Sequence, residues 1–232
     1  LQRIYVMGLI TTTDHIKAII NGIDCNIVVS SVEASGSNWK LISSNTKWAT
    51  YGKLLSGKKI VDFVLNEYIT IQSVTAPTPG TFTLLMPYFF SGTFLETNIE
   101  LTKTKSSANK LPMIYLHMNA PENYYDEEST IDFESDCAIY FMVDCNVKDW
   151  LRNDHLENAI KPMKQLARGF YSSLLNYSKT NAANKITFIE NDYARFGKVS
   201  WEGINRAIFN DNMSGTEMLI KIPFNKCFQG CC

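Results

Sequence analysis

Leu156, Ile160, Met163, Ala167, Phe170 and Leu174 recur at spacings of four, three, four, three and four residues. They form one apolar stripe about five helical turns long. Strand-like sequence lies on both sides of it, so this one helix must bury its stripe against a sheet. Asp154-x-x-Glu157 reads as its capping-box start, with the Asp154 carboxylate accepting an unsatisfied backbone N–H. Pro162 falls inside the run and predicts a kink or a division into two pieces. Met113–Met118, Cys137–Val143, Ile186–Ile189 and Met218–Phe224 read as strands. In the last, Met218, Ile220, Ile222 and Phe224 alternate with Leu219, Lys221 and Pro223, which gives it one buried face. Ser200–Phe209 is ambiguous, with Ile204, Ala207 and Ile208 fitting two helical turns. From residue 111 the pattern predicts an α+β domain, a helix packed on a mostly antiparallel sheet.

The front of the chain reads differently. Ile4–Met7, Ile27–Val29, Trp39–Ile42, Ile60–Val64, Tyr68–Gln72 and Thr81–Leu85 are short and rich in β-branched or aromatic residues. Asn21-Gly22, Ser35-Gly36-Ser37, Ser56-Gly57 and Pro77-Thr-Pro-Gly80 separate them, which predicts a β-rich sandwich or barrel. Ile16–Ile20 fits a helical turn or another strand. Thr102–Lys110 carries three lysines and no acid, and the boundary is placed there: a β-rich domain over 1–105 and an α+β domain over 111–232.

Charge narrows the function. The 232 residues hold 22 Lys+Arg against 23 Asp+Glu, a balance that argues against a generic nucleic-acid binder. No apolar run approaches the 18 or so residues of a spanning helix, and the opening LQRIYVMGLITTT lacks a signal-type cleavage site. The halves differ, however: residues 1–110 carry 10 basic and 7 acidic groups, residues 111–232 carry 12 and 16. Such polarity suits head-to-tail contact between copies. Glu122, Asp126, Glu127, Glu128, Asp132, Glu134 and Asp136 form an acidic stretch without Lys or Arg, read as a solvated projection or a protein-contact surface. It lacks the glycine and the alternating carboxylates of a calcium loop. Lys53, Lys58 and Lys59 belong to a basic stretch interleaved with Trp39, Trp48 and Tyr51. That is a mixture suited to a solvated β-face, to a single nucleic-acid strand or to sugar stacking. Lys161, Lys164 and Arg168 form a basic edge beside the helical stripe.

Candidate catalysts are few. His15, His117 and His155 have no Cys or Ser beside them in a motif. Cys25, Cys137 and Cys145 lie in apolar runs, and Cys227, Cys231 and Cys232 lack the paired spacing of a zinc site. Phosphate loops, nucleophile elbows and His-Glu-x-x-His do not occur, so neither catalyst, metal nor cofactor is expected.

Leu111–Leu116, the acidic insert, Asp144–His155, the helix with Ile160-Lys-Pro-Met163, and Asp211–Phe224 together resemble virion proteins of tailed phages that infect Bacteroidetes, including crAss-like phages. Their layout is similar to that of tail-terminator and head–tail connector proteins. The resemblance is one of pattern over 111–232. It implies a structural virion protein in a ring of the neck, connector or tail, with its own copies and the adjoining portal, neck or tail proteins as partners, and non-specific contact with DNA in the channel. It gives the acidic loop a place as a lumenal projection or docking arm, and Lys161, Lys164 and Arg168 a place in pairing between subunits. A carbohydrate- or protein-binding module built on the β-rich half is the alternative.

Overall fold

A computed structural model describes residues 11–43, 59–64, 68–72, 78–83, 86–103, 111–118, 121–125, 131–146, 148–180, 186–196, 198–201, 204–207 and 212–225. The expected strand Ile4–Met7, the Thr104–Lys110 stretch and the terminal cysteines lie outside them. The chain is α+β, with β-rich sequence in front and a later mixed sheet against which helices pack.

Helix α1 (Thr12–Asn21) comes first, which settles Ile16–Ile20 as helical. Thr11 and Asp14 form a capping box, and Ile16, Ile19 and Ile20 turn inward at helical spacing. Strands β1 (Asn26–Ser35), β2 (Asn38–Ser43), β3 (Lys59–Val64), β4 (Tyr68–Gln72) and β5 (Gly80–Thr83) then make an antiparallel sheet in the order β3-β4-β2-β1-β5. Gly36, at φ +60°, supplies the left-handed residue that the two-residue β1–β2 turn needs.

The second sheet has six strands. β6 (Tyr88–Gly92) leads through α2 (Phe94–Thr102), capped by Thr93 and Glu96, to β7 (Met113–His117), which runs parallel to β6. β8 (Glu122–Tyr124) and β7 both pair with β9 (Ile131–Asp144). After α3 (Arg152–His155), a π-helical turn (Leu156–Ile160) and α4 (Lys161–Leu175), β10 (Phe188–Phe196), β11 (Lys198–Trp201), β12 (Ile204–Ala207) and β13 (Met213–Asn225) follow. The strand order is β10-β13-β9-β7-β6. β9 and β13 are paired from Met213↔Asp144 to Asn225↔Ile131. Residues before 105 therefore contribute to both sheets, since β6 lies in the second and α1 touches α4.

Most of the helical stripe is buried as its spacing required: Met163, Ala167, Phe170 and Leu174 join Ile114, Phe141, Met218 and Ile222 in one core that also takes in α1 and strands β1 and β2, while Ile160 is buried outside that core and Leu156 is half-buried. One local expectation needs correction and two are made definite. Asp154 is the third helical residue rather than the cap, and its carboxylate reaches back to the Leu151 N–H at 2.8 Å. The division falls just ahead of Pro162, in the π turn: proline has no N–H to donate to the previous turn and its ring needs room there. Ile204 and Ala207 stand in a β11–β12 hairpin, not a helix, with Trp201 opposite Ile204. Val199 and Trp201 favour strand, and a two-residue spacing that includes Gly203 suits a hairpin.

Candidate functional site

The predicted basic edge of α4 resolves into three different residues. Lys161 pairs with Glu157 one turn back. Lys164 reaches Asp192 on β10 at 2.9 Å and ties the helix to the sheet edge. Arg168 is exposed and has no ion pair or hydrogen bond among the described residues. It lines a groove of about 620 Å³ between α4 and the end of α1. Two rows of α4 form one wall, Gln165, Gly169 and Ser173 within and Arg168, Ser172 and Asn176 at the rim. Ala18 and Gly22 of α1, with Asp24 and Asn26 beyond it, form the other. The Ser173 hydroxyl donates to the Ile19 carbonyl, which also accepts the Gly22 N–H at the end of α1. A Cβ at Gly22 would come within 2.5 Å of the Ser173 Oγ, so glycine leaves the room this hydroxyl occupies.

The acidic stretch is not one projection. Glu122 is half-buried in β8 and accepts from the Thr12 N–H at 3.0 Å, from the Thr12 hydroxyl, and from the Tyr124 hydroxyl at 2.7 Å. A carboxylate at the first turn of a helix is favoured by its dipole. Burial alone would push its pKa up, but these hydrogen bonds outweigh it and hold the Glu122 carboxyl below its ordinary range. Glu134 accepts from Tyr125 at 2.6 Å, and both Glu134 and Asp136 stand 3.7–3.8 Å from Lys221. Asp126, Glu127 and Glu128 lie outside the described residues, as do Lys53, Lys58, Trp48 and Tyr51; Asp132 and Lys59 are described by backbone only. Trp39, one of the aromatics offered for sugar stacking, is half-buried against the large core.

All three histidines lie within hydrogen-bond distance of a hydroxyl and against an aromatic ring. His15 Nδ1 lies 2.9 Å from the Tyr177 hydroxyl, and its ring stacks on Phe224 at 4.3 Å. His117 Nδ1 lies 2.9 Å from the Tyr115 hydroxyl with Phe94 stacked on it. His155 Nδ1 stands 2.7 Å from Ser214 Oγ, a contact that looks like a nucleophile and its base. The Ser214 hydroxyl, however, donates to the Ala194 carbonyl, so Ser214 receives its hydrogen bond from His155. At 0% and 2% exposure the pair is closed to any substrate. Burial pushes the Cys25 thiol up to about 11 and that of Cys137 up to about 12, and both stay protonated at neutral pH.

Sequence reasoning missed the polar cluster on the far face of the second sheet. Glu217, 6% exposed, accepts from Asn191 Nδ2 at 2.8 Å and from the Tyr193 hydroxyl at 3.0 Å. Burial and this carboxylate raise the pKa of Tyr140 and of Tyr193. Tyr115, pushed up to about 12 by burial, packs on Tyr140 in the same layer. The one available signal was the strand period, which places Glu217 opposite the buried Met218 face. Beyond this cluster the same face carries an open row, Ile189 (64% exposed), Leu219 (38%) and Ala138, beside a shallow groove of about 410 Å³ that includes Lys221 and Asp136.

Among the described residues, no three His, Cys, Asp or Glu side chains are grouped to hold a metal ion, and no helix is long and apolar enough to cross a membrane. Comparison with protein-family models, with curated proteins and with solved structures returns no match to this chain.

Proposed function

We propose that this chain is a structural virion protein, a subunit of a ring in the neck, head–tail connector or tail of a tailed bacteriophage, assembled in the host cytoplasm. Copies of itself and the adjoining portal, neck or tail proteins are its partners. The pattern resemblance over residues 111–232 names the assembly. The observation that carries the reading is the apolar row Ile189-Leu219-Ala138, which crosses three paired strands in the open beside Lys221 and Asp136. A contiguous apolar row with a charged rim is how a surface meets another protein. On this reading the buried histidines and thiols hold the subunit's shape, and no bond is made or broken.

Light scattering across a concentration series, followed by electron microscopy of the purified protein, tests it. The expected result is a closed ring of identical subunits. A monomer at every concentration that also binds no virion component would overturn the reading.

A further inference from the structure

The apolar row marks one contact surface of the assembly but does not say what meets the groove beside α4. Lys161 and Lys164 are already engaged by Glu157 and Asp192 of their own chain, so Arg168 is the member of the basic edge left to face a partner. We propose that the groove between α1 and α4 receives the acidic connection between β8 and β9 of a second copy, Asp126-Glu127-Glu128, with Arg168 as the cation that meets it. The proposal rests on the assembly reading and names its contact.

The groove has the length and the chemistry for this. From Gln165 to Asn176 the helix rises about 16 Å, enough to lie along four or five extended residues. Arg168, Ser172 and Asn176 stand four apart on the rim and offer a guanidinium, a hydroxyl and an amide to passing carboxylates. Lys17, exposed on α1 next to the lining residue Ala18, adds a second cation. The groove's one carboxylate, Asp24, already accepts the Asn26 N–H at 2.9 Å.

The donor segment leaves from a fixed base. Tyr124 bonds Glu122, Tyr125 bonds Glu134, and both rings are exposed. The following sequence carries three carboxylates and no cation. That base sits at the first turn of α1, through Glu122 and Thr12, whereas the groove sits at its last. Donor and receiver are thus different patches set apart by a ten-residue helix, about 15 Å. A contact between unlike patches repeats from copy to copy and closes into a ring when its rotation allows.

Sedimentation of the full chain at low salt tests this with Arg168→Glu, with the double variant Glu127→Lys/Glu128→Lys, and with an equimolar mixture of the two. Each variant alone is expected to associate about tenfold more weakly than the parent, or worse. The mixture is expected to regain association, because each altered patch then meets an opposite charge on the other chain. Arg168→Gln, which removes the charge without reversing it, is expected to lie between parent and Arg168→Glu, and unchanged melting curves separate loss of contact from loss of fold. A parent that forms rings while Arg168→Glu forms them equally well would overturn the contact and leave the assembly reading standing. So would a mixture that fails to recover, since that result points to a contact within one chain. A parent that never associates would overturn both.

Discussion

On one face of the six-stranded sheet, Ile114, Leu116, Phe141, Met218 and Ile222 meet α4 and α1 largely through hydrocarbon; on the other, Tyr115, Tyr140 and Glu217 are buried together with their polar atoms. The difference lies in what each face demands of strand position. Aliphatic packing rewards buried area and tolerates exchanges of similar volume. A carboxylate that must find Asn191 and Tyr193 on the neighbouring strand is satisfied in one register and stranded in another. The face under α4 draws on buried hydrocarbon, and the phenol-lined face is the more demanding about strand position.

The contrast can be broken at four points. Gly215 is the most sensitive, because a Cβ there would fall 1.9 Å from the Phe141 carbonyl oxygen, on backbone that has nowhere to go. Gly215→Ala is expected to cost more than about 4 kcal/mol in urea unfolding, or to leave no folded protein. Phe170→Ala, on the hydrocarbon face, is expected to cost about 3–5 kcal/mol, since Phe170 is fully buried against Phe141. Glu217→Leu leaves the Asn191 amide and the Tyr193 hydroxyl without their acceptor and is expected to cost about 1–3 kcal/mol. A Glu217→Leu protein as stable as the parent would erase the distinction between the faces. Ser173→Ala, which removes the link from α4 to the end of α1, is expected to cost about 0.5–1.5 kcal/mol.

Acid offers a finer test. The Glu122 carboxyl titrates below its unfolded value, so its contribution is complete above that value, about 4.3, and is lost as pH falls through the folded pKa. Glu122→Gln is therefore expected to be less stable than the parent at neutral pH, with the gap closing toward acid in thermal melts. A gap that stays constant down to the acid limit would show that Glu122 contributes shape and not charge.

Periodicity carried much of the fold. The Leu156–Leu174 stripe and the Met218–Phe224 alternation announce their buried faces because both periods survive intact in the sequence. Helix α2 escaped notice because Leu95 and Ile99 point outward while Leu101 and Thr97 are buried, which blurs its stripe. β8 was hidden inside the acidic stretch: its pairing with β9 comes from backbone bonds, and Glu122 turns toward Thr12, more than a hundred residues earlier. The site was legible as charge alone. The Glu157–Lys161 pair is legible as a spacing of four, but Lys164 and Arg168 look equivalent on a helical wheel, and only the Asp192 carboxylate brought by β10 tells them apart. No local pattern reports a partner that arrives from a distant strand.

The central place of β13 has a consequence for synthesis. The strands on either side of it leave the ribosome earlier, yet β10 lacks its strand partner, and β9, though paired with β7 and β8, keeps its other edge open, until residues 213–225 emerge. Until then the stripe of α4 lacks Met218, Ile220, Ile222 and Phe224, and the nascent chain displays bare apolar surface. A stalled or truncated message that stops short of residue 213 would thus yield sticky, protease-sensitive product in place of a smaller folded one.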